Sequence, residues 1–231
     1  MNTTEQKIIE SFNIALPNPE IVELRLAYWR GHVPKFIQDT DPALLTAKYQ
    51  RLLANWNPST GAGLVGPTGC GKTRSMGLLM VKHLLSQPLT GEGIRYLAQN
   101  PNADAHSVRW AQERIVGDER HRLDGRPTAI FISHSDFASQ ASTTARSGDF
   151  EEWISDFEDC EFLGLDDIGK ATRGDRATGA LFRVVDHRYA NGMKIAFTTQ
   201  FKSEDLAKLI GGDYGPALVR RLKEMTQTPK E

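Results

Sequence analysis

The stretch Gly66-Pro67-Thr68-Gly69-Cys70-Gly71-Lys72-Thr73 is an unbroken G-x-x-x-x-G-K-T. Its glycines let consecutive backbone N–H groups turn inward and cradle phosphate oxygens. Lys72 is placed to reach the β- and γ-phosphates of a nucleotide, and the Thr73 hydroxyl to hold Mg²⁺. A helix starting here aims its positive end at the same phosphates. The flanks supply the context this chemistry needs. Before the loop, Ala62-Gly63-Leu64-Val65 is short and apolar, a candidate buried strand. After it, Met76, Leu79, Met80 and Leu84 recur at helical spacing and predict an amphipathic helix to about Leu85. Strand, glycine loop and helix thus follow in the order the chemistry requires.

Composition sets outer bounds. A chain of 231 residues suits one large domain, or one domain with a small appendage. With 28 basic and 29 acidic side chains, net charge points to no nucleic-acid partner, so any basic surface must be local. Two cysteines give no disulfide framework, and a reducing cytoplasm is the expected compartment. Cys70 reads as a small residue that fits the loop. The N-terminus lacks the basic-then-apolar layout of a signal peptide, and no apolar run approaches membrane-spanning length. The histidines at 32, 83, 106, 121, 134 and 187 show no metal-ligand spacing, so no zinc is assigned.

The first sixty residues read as helices. Asn18-Pro19-Glu20 caps a helix running to Arg30, with Gly31 where a C-terminal cap belongs. Asp41-Pro42 repeats the signal, and Leu44, Leu45, Leu52 and Leu53 are expected to line a helix ending near Trp56. A loop over 57–61 follows. Residues 90–126 are polar and poorly patterned, with one helix expected over 106–115; the stretch reads as an insertion, a solvated excursion from the core. Ala129-Ile130-Phe131-Ile132 is a strand, Ser135 begins a helix, and a second helix covers 150–157. The apolar run Phe162-Leu163-Gly164-Leu165 ends in Asp166-Asp167. Helices follow over 175–189, from a Ser203 cap to Ile210, and from Pro216 onward, with a strand over 194–200 among them. Strands alternating with helices imply a parallel sheet covered on both faces.

Tandem acids at a strand's carboxyl end reach the crevice where open parallel sheets bind ligands. Such a pair also occurs at helix caps and turns, but beside an intact phosphate loop it suits a Mg²⁺-nucleotide site. Asp166 is the expected Mg²⁺ partner, through water. Asp167 is the expected group to polarise an attacking water. Thr199 and Gln200 end a strand expected beside the acid strand, so the Gln200 amide is in reach of the γ-phosphate or that water. Arg221, beside Arg220 on the last helix, is a candidate arginine finger.

The motif order resembles the AAA+ ATPases of the bacterial helicase-loader type, a group with DnaC-like loaders and, close by, IstB-like transposition ATPases. The resemblance rests on Ile132-Ser133-His134-Ser135-Asp136-Phe137, Leu165-Asp166-Asp167-Ile168-Gly169-Lys170, Val185-Asp186-His187-Arg188-Tyr189, Ala196-Phe197-Thr198-Thr199-Gln200 and Val219-Arg220-Arg221-Leu222-Lys223-Glu224-Met225. It covers roughly residues 33–90 and 128–228. It implies a P-loop NTPase (AAA+) α/β domain over 57–231, with the insertion at 90–126, and a helical N-terminal segment over 1–56 as a partner-docking element, 33–56 leading into the core. It implies no C-terminal lid domain. ATP and Mg²⁺ are the implied ligands, held by residues 66–73, with Gly66, Pro67, Gly69, Cys70 and Gly71 among them, and by the adjoining Arg74. Phe36 and Ile37, in Val33-Pro34-Lys35-Phe36-Ile37, fall near the adenine site. Gln200 stands where the family usually has an asparagine sensor. Arg221 matches the finger that acts on a neighbouring subunit. A homo-oligomer or ring, a replicative helicase or other DNA-processing partner, and single-stranded DNA are implied in turn. A transposition regulator, a P-loop small-molecule kinase and a non-hydrolysing ATP switch are the rivals. The kinase would need an acceptor pocket and an arginine-rich lid.

Overall fold

The computed structural model describes residues 1–227 apart from Asn13, Pro17, Thr172 and Arg173. Helices come first. α1 (Thr3–Glu10) opens on a reciprocal cap: the Asn2 side chain accepts from the Glu5 amide at 2.9 Å, and the Glu5 carboxylate accepts from the Asn2 amide at 2.7 Å. In α2 (Pro19–His32) the Asn18 side chain accepts from the Ile21 amide. Gly31 lies inside this helix and does not cap it. Val33 ends α2 in extended backbone, its amide on the Trp29 carbonyl, so no left-handed residue is needed. α3 (Lys35–Gln38) follows. Asp41-Pro42 then starts only a 3-10 turn, Pro42–Leu44, because Leu45 and Thr46 are extended; α4 (Ala47–Asn55) begins after them. Leu44 is consequently exposed and lines no helix face.

Among the described residues five strands make one parallel sheet: β1 (Gly61–Val65), β2 (Ala129–Ser133), β3 (Phe162–Asp166), β4 (Ile195–Thr199) and β5 (Thr226–Gln227), in the order β2-β3-β4-β1-β5. Register sets Val65 beside Thr199, Leu165 beside Phe197 and Ser133 beside Asp166. The carboxyl ends of four strands therefore align. β5, a two-residue edge strand, carries too little pattern to be read from sequence.

Side chains alternate across the sheet. Ala62, Leu64, Phe162 and Ala196 join a cluster with Ile8, Phe12, Trp29, Leu53 and the buried residues of α5 (Lys72–Ser86). Leu163, Leu165, Ile195 and Phe197 face a second cluster. That cluster is built from α8 (His134–Ser147), α9 (Phe150–Asp159), α10 (Asp175–Ala190), α11 (Ser203–Ile210) and α12 (Tyr214–Met225). The N-terminal helices are tied to the core directly: Trp29 Nε1 donates to the Gly77 carbonyl at 2.9 Å, and Lys82 Nζ donates to the Ala54 carbonyl at 3.0 Å.

Between α5 and β2 lie α6 (Glu92–Gln99) and α7 (Ala105–Asp124), so residues 90–126 hold two helices and not one. Nor are they simply a solvated excursion. Ala111, Ile115, Val116 and Leu123 of α7 are buried, and Glu119 accepts from the buried Arg25 at 2.9 Å. The apolar stripe is narrow, carries the charged Glu119 and is flanked by arginines, which hid it. Two helix starts also differ by a residue or two: Lys202 occupies the cap position expected of Ser203, and α12 begins two residues ahead of Pro216, which sits in the first turn where proline is tolerated.

Candidate nucleotide-binding site

β1 ends at Val65 and α5 begins at Lys72, so residues 66–71 must reverse the chain within six positions. Gly71 does this with φ +94°, a left-handed conformation costly for any residue with a Cβ. The Gly66 amide donates to the Thr199 carbonyl at 3.2 Å, which pins the root of the loop to β4. Lys72 is buried, and its Nζ donates to the carbonyls of Gly66 (2.9 Å) and Pro67 (2.8 Å). Among the described residues it makes no ion pair. Its Nζ also lies 4.0 Å from Cys70 Sγ. A buried ammonium held by neutral acceptors is a charge arranged to meet an anion.

Opposite stands the end of β3. Asp166 is 7% exposed, and its Oδ1 accepts from Thr73 Oγ1 at 3.0 Å and from Thr198 Oγ1 at 2.6 Å. Burial pushes its carboxyl above the ordinary range, against the pull of the two hydroxyls. The Thr198 hydroxyl also accepts from the Asp167 amide at 2.8 Å. Asp167 has φ +56°, turning the chain sharply at the strand's end. Its Oδ2 accepts from Lys170 Nζ at 2.8 Å. At the tip of β4, Gln200 Oε1 accepts from Thr68 Oγ1 at 2.9 Å.

A cleft of about 430 Å³ runs along this surface, lined by Thr68, Lys72, Thr73, Asp167 and Lys170 together with Phe36, Thr40, Leu44 and Leu45. Its size and mixed lining suit a small polar ligand with an apolar end. The Arg74 guanidinium lies over the Phe36 ring at 5.7 Å. Ile37 takes a different place from its sequence assignment: it is fully buried against Gly77 of α5 and is no part of the cleft wall. The fold thus brings residues 66–74, Asp166, Asp167, Gln200 and Phe36 together. Arg221 is elsewhere, on α12 against α10. It pairs with Asp186 at 2.5 Å and stacks over the rings of Phe182 (4.8 Å) and Tyr189 (5.7 Å).

Sequence reading missed Thr198, Lys170 and the Thr40–Leu45 wall. Lys170 carried a faint signal, three residues after Asp167. Thr198 carried none beyond its place in a strand tip. The oxygens of Thr73 and Asp166 converge as a hydroxyl and a carboxylate. Among the described residues no cluster of three or more His, Cys, Asp or Glu could cage a metal. A small donor set of this kind fits Mg²⁺, which keeps its waters and takes one or two protein oxygens beside phosphate.

No protein-family model and no curated protein matches the sequence. Among solved structures the chain is similar to DnaI, at 14% identity over 85% of this chain and 90% of that one, with a TM-score of 0.52. It is also similar to the DnaC helicase loader, at 20% identity over 88% and 97% of the two chains, TM-score 0.46. A third is the replication initiator DnaA bound to AMPPCP and single-stranded DNA, at 15% identity over 100% of this chain and 52% of that one, TM-score 0.48. The chain spans about half the length of that initiator. Identity this low bears on fold alone, and here it agrees with the strand order and the loop-to-helix junction: the protein has the α/β parallel-sheet fold of P-loop AAA+ domains.

Proposed function

We propose that the protein binds ATP·Mg²⁺ and hydrolyses ATP as a helicase-loader-like factor in DNA replication. The observation that carries this reading is the 3.0 Å hydrogen bond between Thr73 and Asp166, which joins the phosphate loop to the acid strand across 93 residues of chain. Lys72 exchanges its carbonyl partners for phosphate oxygens. Thr73 and Asp166 would hold Mg²⁺. The ion supplies charge neutralisation on the phosphates when bound. Asp167, freed from Lys170, orients and polarises the attacking water, with Gln200 beside it at the γ-phosphate end. The exposed Phe36 ring and Leu44 offer an apolar surface to the base. Arg221 serves a neighbouring copy in a ring, and its hold on Asp186 keeps it ordered until that copy docks.

The 1–56 segment is the docking element for a replicative helicase or another DNA-processing protein, and single-stranded DNA is the accompanying ligand. No helix among the described residues is long and apolar enough to cross a membrane, and the cytoplasm is the proposed compartment. A non-hydrolysing switch is the second reading. It is favoured by the Asp167–Lys170 and Gln200–Thr68 contacts, which engage both groups proposed to handle water. Phosphate release from ATP·Mg²⁺, measured with and without single-stranded DNA, separates the readings. Release is expected, with a DNA-dependent rate. Tight ATP binding without release would establish the switch, and ADP formed only with a small-molecule acceptor, the phosphoryl group carried on that acceptor with no free phosphate, would establish a kinase.

A further inference from the structure

His134 is the first residue of α8, directly after Ser133, and Ser133 lies beside Asp166 in the sheet. That register sets the imidazole against the loop leaving the acid pair. His134 Nδ1 accepts from the backbone amides of Gly169 (3.2 Å) and Ala171 (3.3 Å). A ring nitrogen that accepts two N–H groups carries no proton, so the ring is neutral with its proton on Nε2. Burial favours the same state and pushes the imidazole down to about 4. We propose that His134 is a positioning residue for Asp167: through these two amides it fixes the turn that aims the Asp167 carboxylate into the nucleotide cleft.

The loop needs holding from both sides. Asp167 is left-handed, a conformation that persists in an L-residue only where the surroundings over-determine it. On the β4 side the Thr198 hydroxyl accepts from the Asp167 amide, and the Thr199 hydroxyl donates to the Ile168 carbonyl at 2.7 Å. Those contacts fix the first half of the turn. The second half doubles back, with Gly169 at φ +102° and the Lys170 amide on the Asp167 carbonyl at 3.1 Å. His134 grips the amides on either side of Lys170, the residue that reaches back to Asp167 Oδ2. It therefore governs both the turn and the ion pair Asp167 must leave. His134 also borders a small cavity with Gly169, Ala171, Ala177, Leu181 and Ile210, so packing is the competing explanation.

The proposal rests on the reading of Asp167 as the group that handles water, and the test separates the two. In the full chain, His134→Asn keeps an acceptor at the δ position. His134→Gln is closer to histidine in volume but carries its acceptor one bond farther out, and His134→Ala has none. The measurements are kcat and KM for ATP hydrolysis, the Kd for ATP·Mg²⁺, and hydrogen exchange at the Gly169 and Ala171 amides. Gln and Ala are expected to lower kcat by about 10- to 100-fold, the scale of an ångström-sized misplacement. Their Kd should stay within about 2-fold of the parent, and the two amides should exchange faster, since a lost hydrogen bond opens local structure. Asn should keep kcat within about 3-fold, on the same positional argument, with the amides protected. A Gln variant as active as Asn, or unchanged protection in Gln and Ala, overturns the proposal in favour of packing. If the parent chain releases no phosphate, the hydrolysis reading fails, and the exchange measurement alone decides whether His134 holds the loop.

Discussion

Replacing Thr198 by valine removes one oxygen and leaves the side chain's shape, so the cost reports hydrogen bonding with no cavity contribution. That oxygen is fully buried, donates to Asp166 at 2.6 Å and accepts from the Asp167 amide at 2.8 Å. A hydrogen bond to a charged group contributes about 1.5–3 kcal/mol, and a buried amide left unpaired costs about 1–3 kcal/mol. Asp166 keeps its bond from Thr73, which holds the expected loss toward the low end of the combined range, about 2.5–4 kcal/mol. Thr198→Ser retains the hydroxyl and should lose only about 1 kcal/mol, for one buried methyl. Urea unfolding at pH 7, with the slope checked for constancy, reads both values. The pH dependence has a definite sign. Burial already holds the Asp166 carboxyl above its ordinary range, and Thr198 pulls it down. Valine moves it further up. A carboxyl raised in the folded state binds its proton more tightly there than in the unfolded chain, so protonation favours the fold. The valine deficit should therefore shrink as pH falls through that raised range. A valine variant within about 0.5 kcal/mol of the parent at pH 7, the ordinary spread for an inconsequential substitution, would refute the linkage of the two acids through Thr198. A deficit that grows in acid would refute it too.

Asp167→Asn should bind ATP as the parent does and lose turnover, because the amide cannot polarise water; unchanged phosphate release would reassign that role, Gln200 being next in line. Arg221→Ala mixed with Lys72→Ala should recover activity that neither has alone, since one supplies a working loop and the other a working finger worth about 10³–10⁵ in rate; a mixture that forms hetero-oligomers and stays inactive denies the shared site. His134, held near 4 in the fold against 6.5 for the free side chain, makes the folded state poorer in protons than the unfolded chain. Stability should thus fall with pH between about 6.5 and 4, by about 3 kcal/mol from this residue. Urea titrations of parent and His134→Asn should differ by that amount across the window, and parallel curves would show that the ring is not neutral in the fold.

The parts of the fold legible in the sequence are those where local chemistry admits few alternatives. A glycine loop between an apolar strand and a helix has one arrangement, and β1, residues 66–71 and α5 take it, although α5 is buried all round from Ser75 to Leu85 and not along one amphipathic face. The acid strand was readable because an apolar run ends abruptly in carboxylates. What escaped depends on long-range partners. Gly31 has the composition of a cap, but the extended Val33 ends α2 first. Leu44 has the composition of a core residue and ends up on the cleft rim, because the chain straightens after a single 3-10 turn. The family resemblance places Ile37 with Phe36 near the adenine site, yet successive helical residues point to different faces, and of the two only Phe36 faces the cleft. Thr198 and His134 acquire their contacts through sheet register, which pairs residues 31 to 37 positions apart and leaves no trace in local spacing.

The claim that the loop, Asp166 and the cleft form one ATP·Mg²⁺ site is tested most directly by calorimetric titration of ATP·Mg²⁺ into the parent chain and into Lys72→Ala. Losing a charge-assisted contact to phosphate costs about 2–3 kcal/mol, so the Kd of Lys72→Ala should rise about 30- to 150-fold. Binding to the parent should also weaken when Mg²⁺ is chelated. Equal affinity of the two chains for ATP·Mg²⁺, or a parent chain that binds no ATP, would contradict the account.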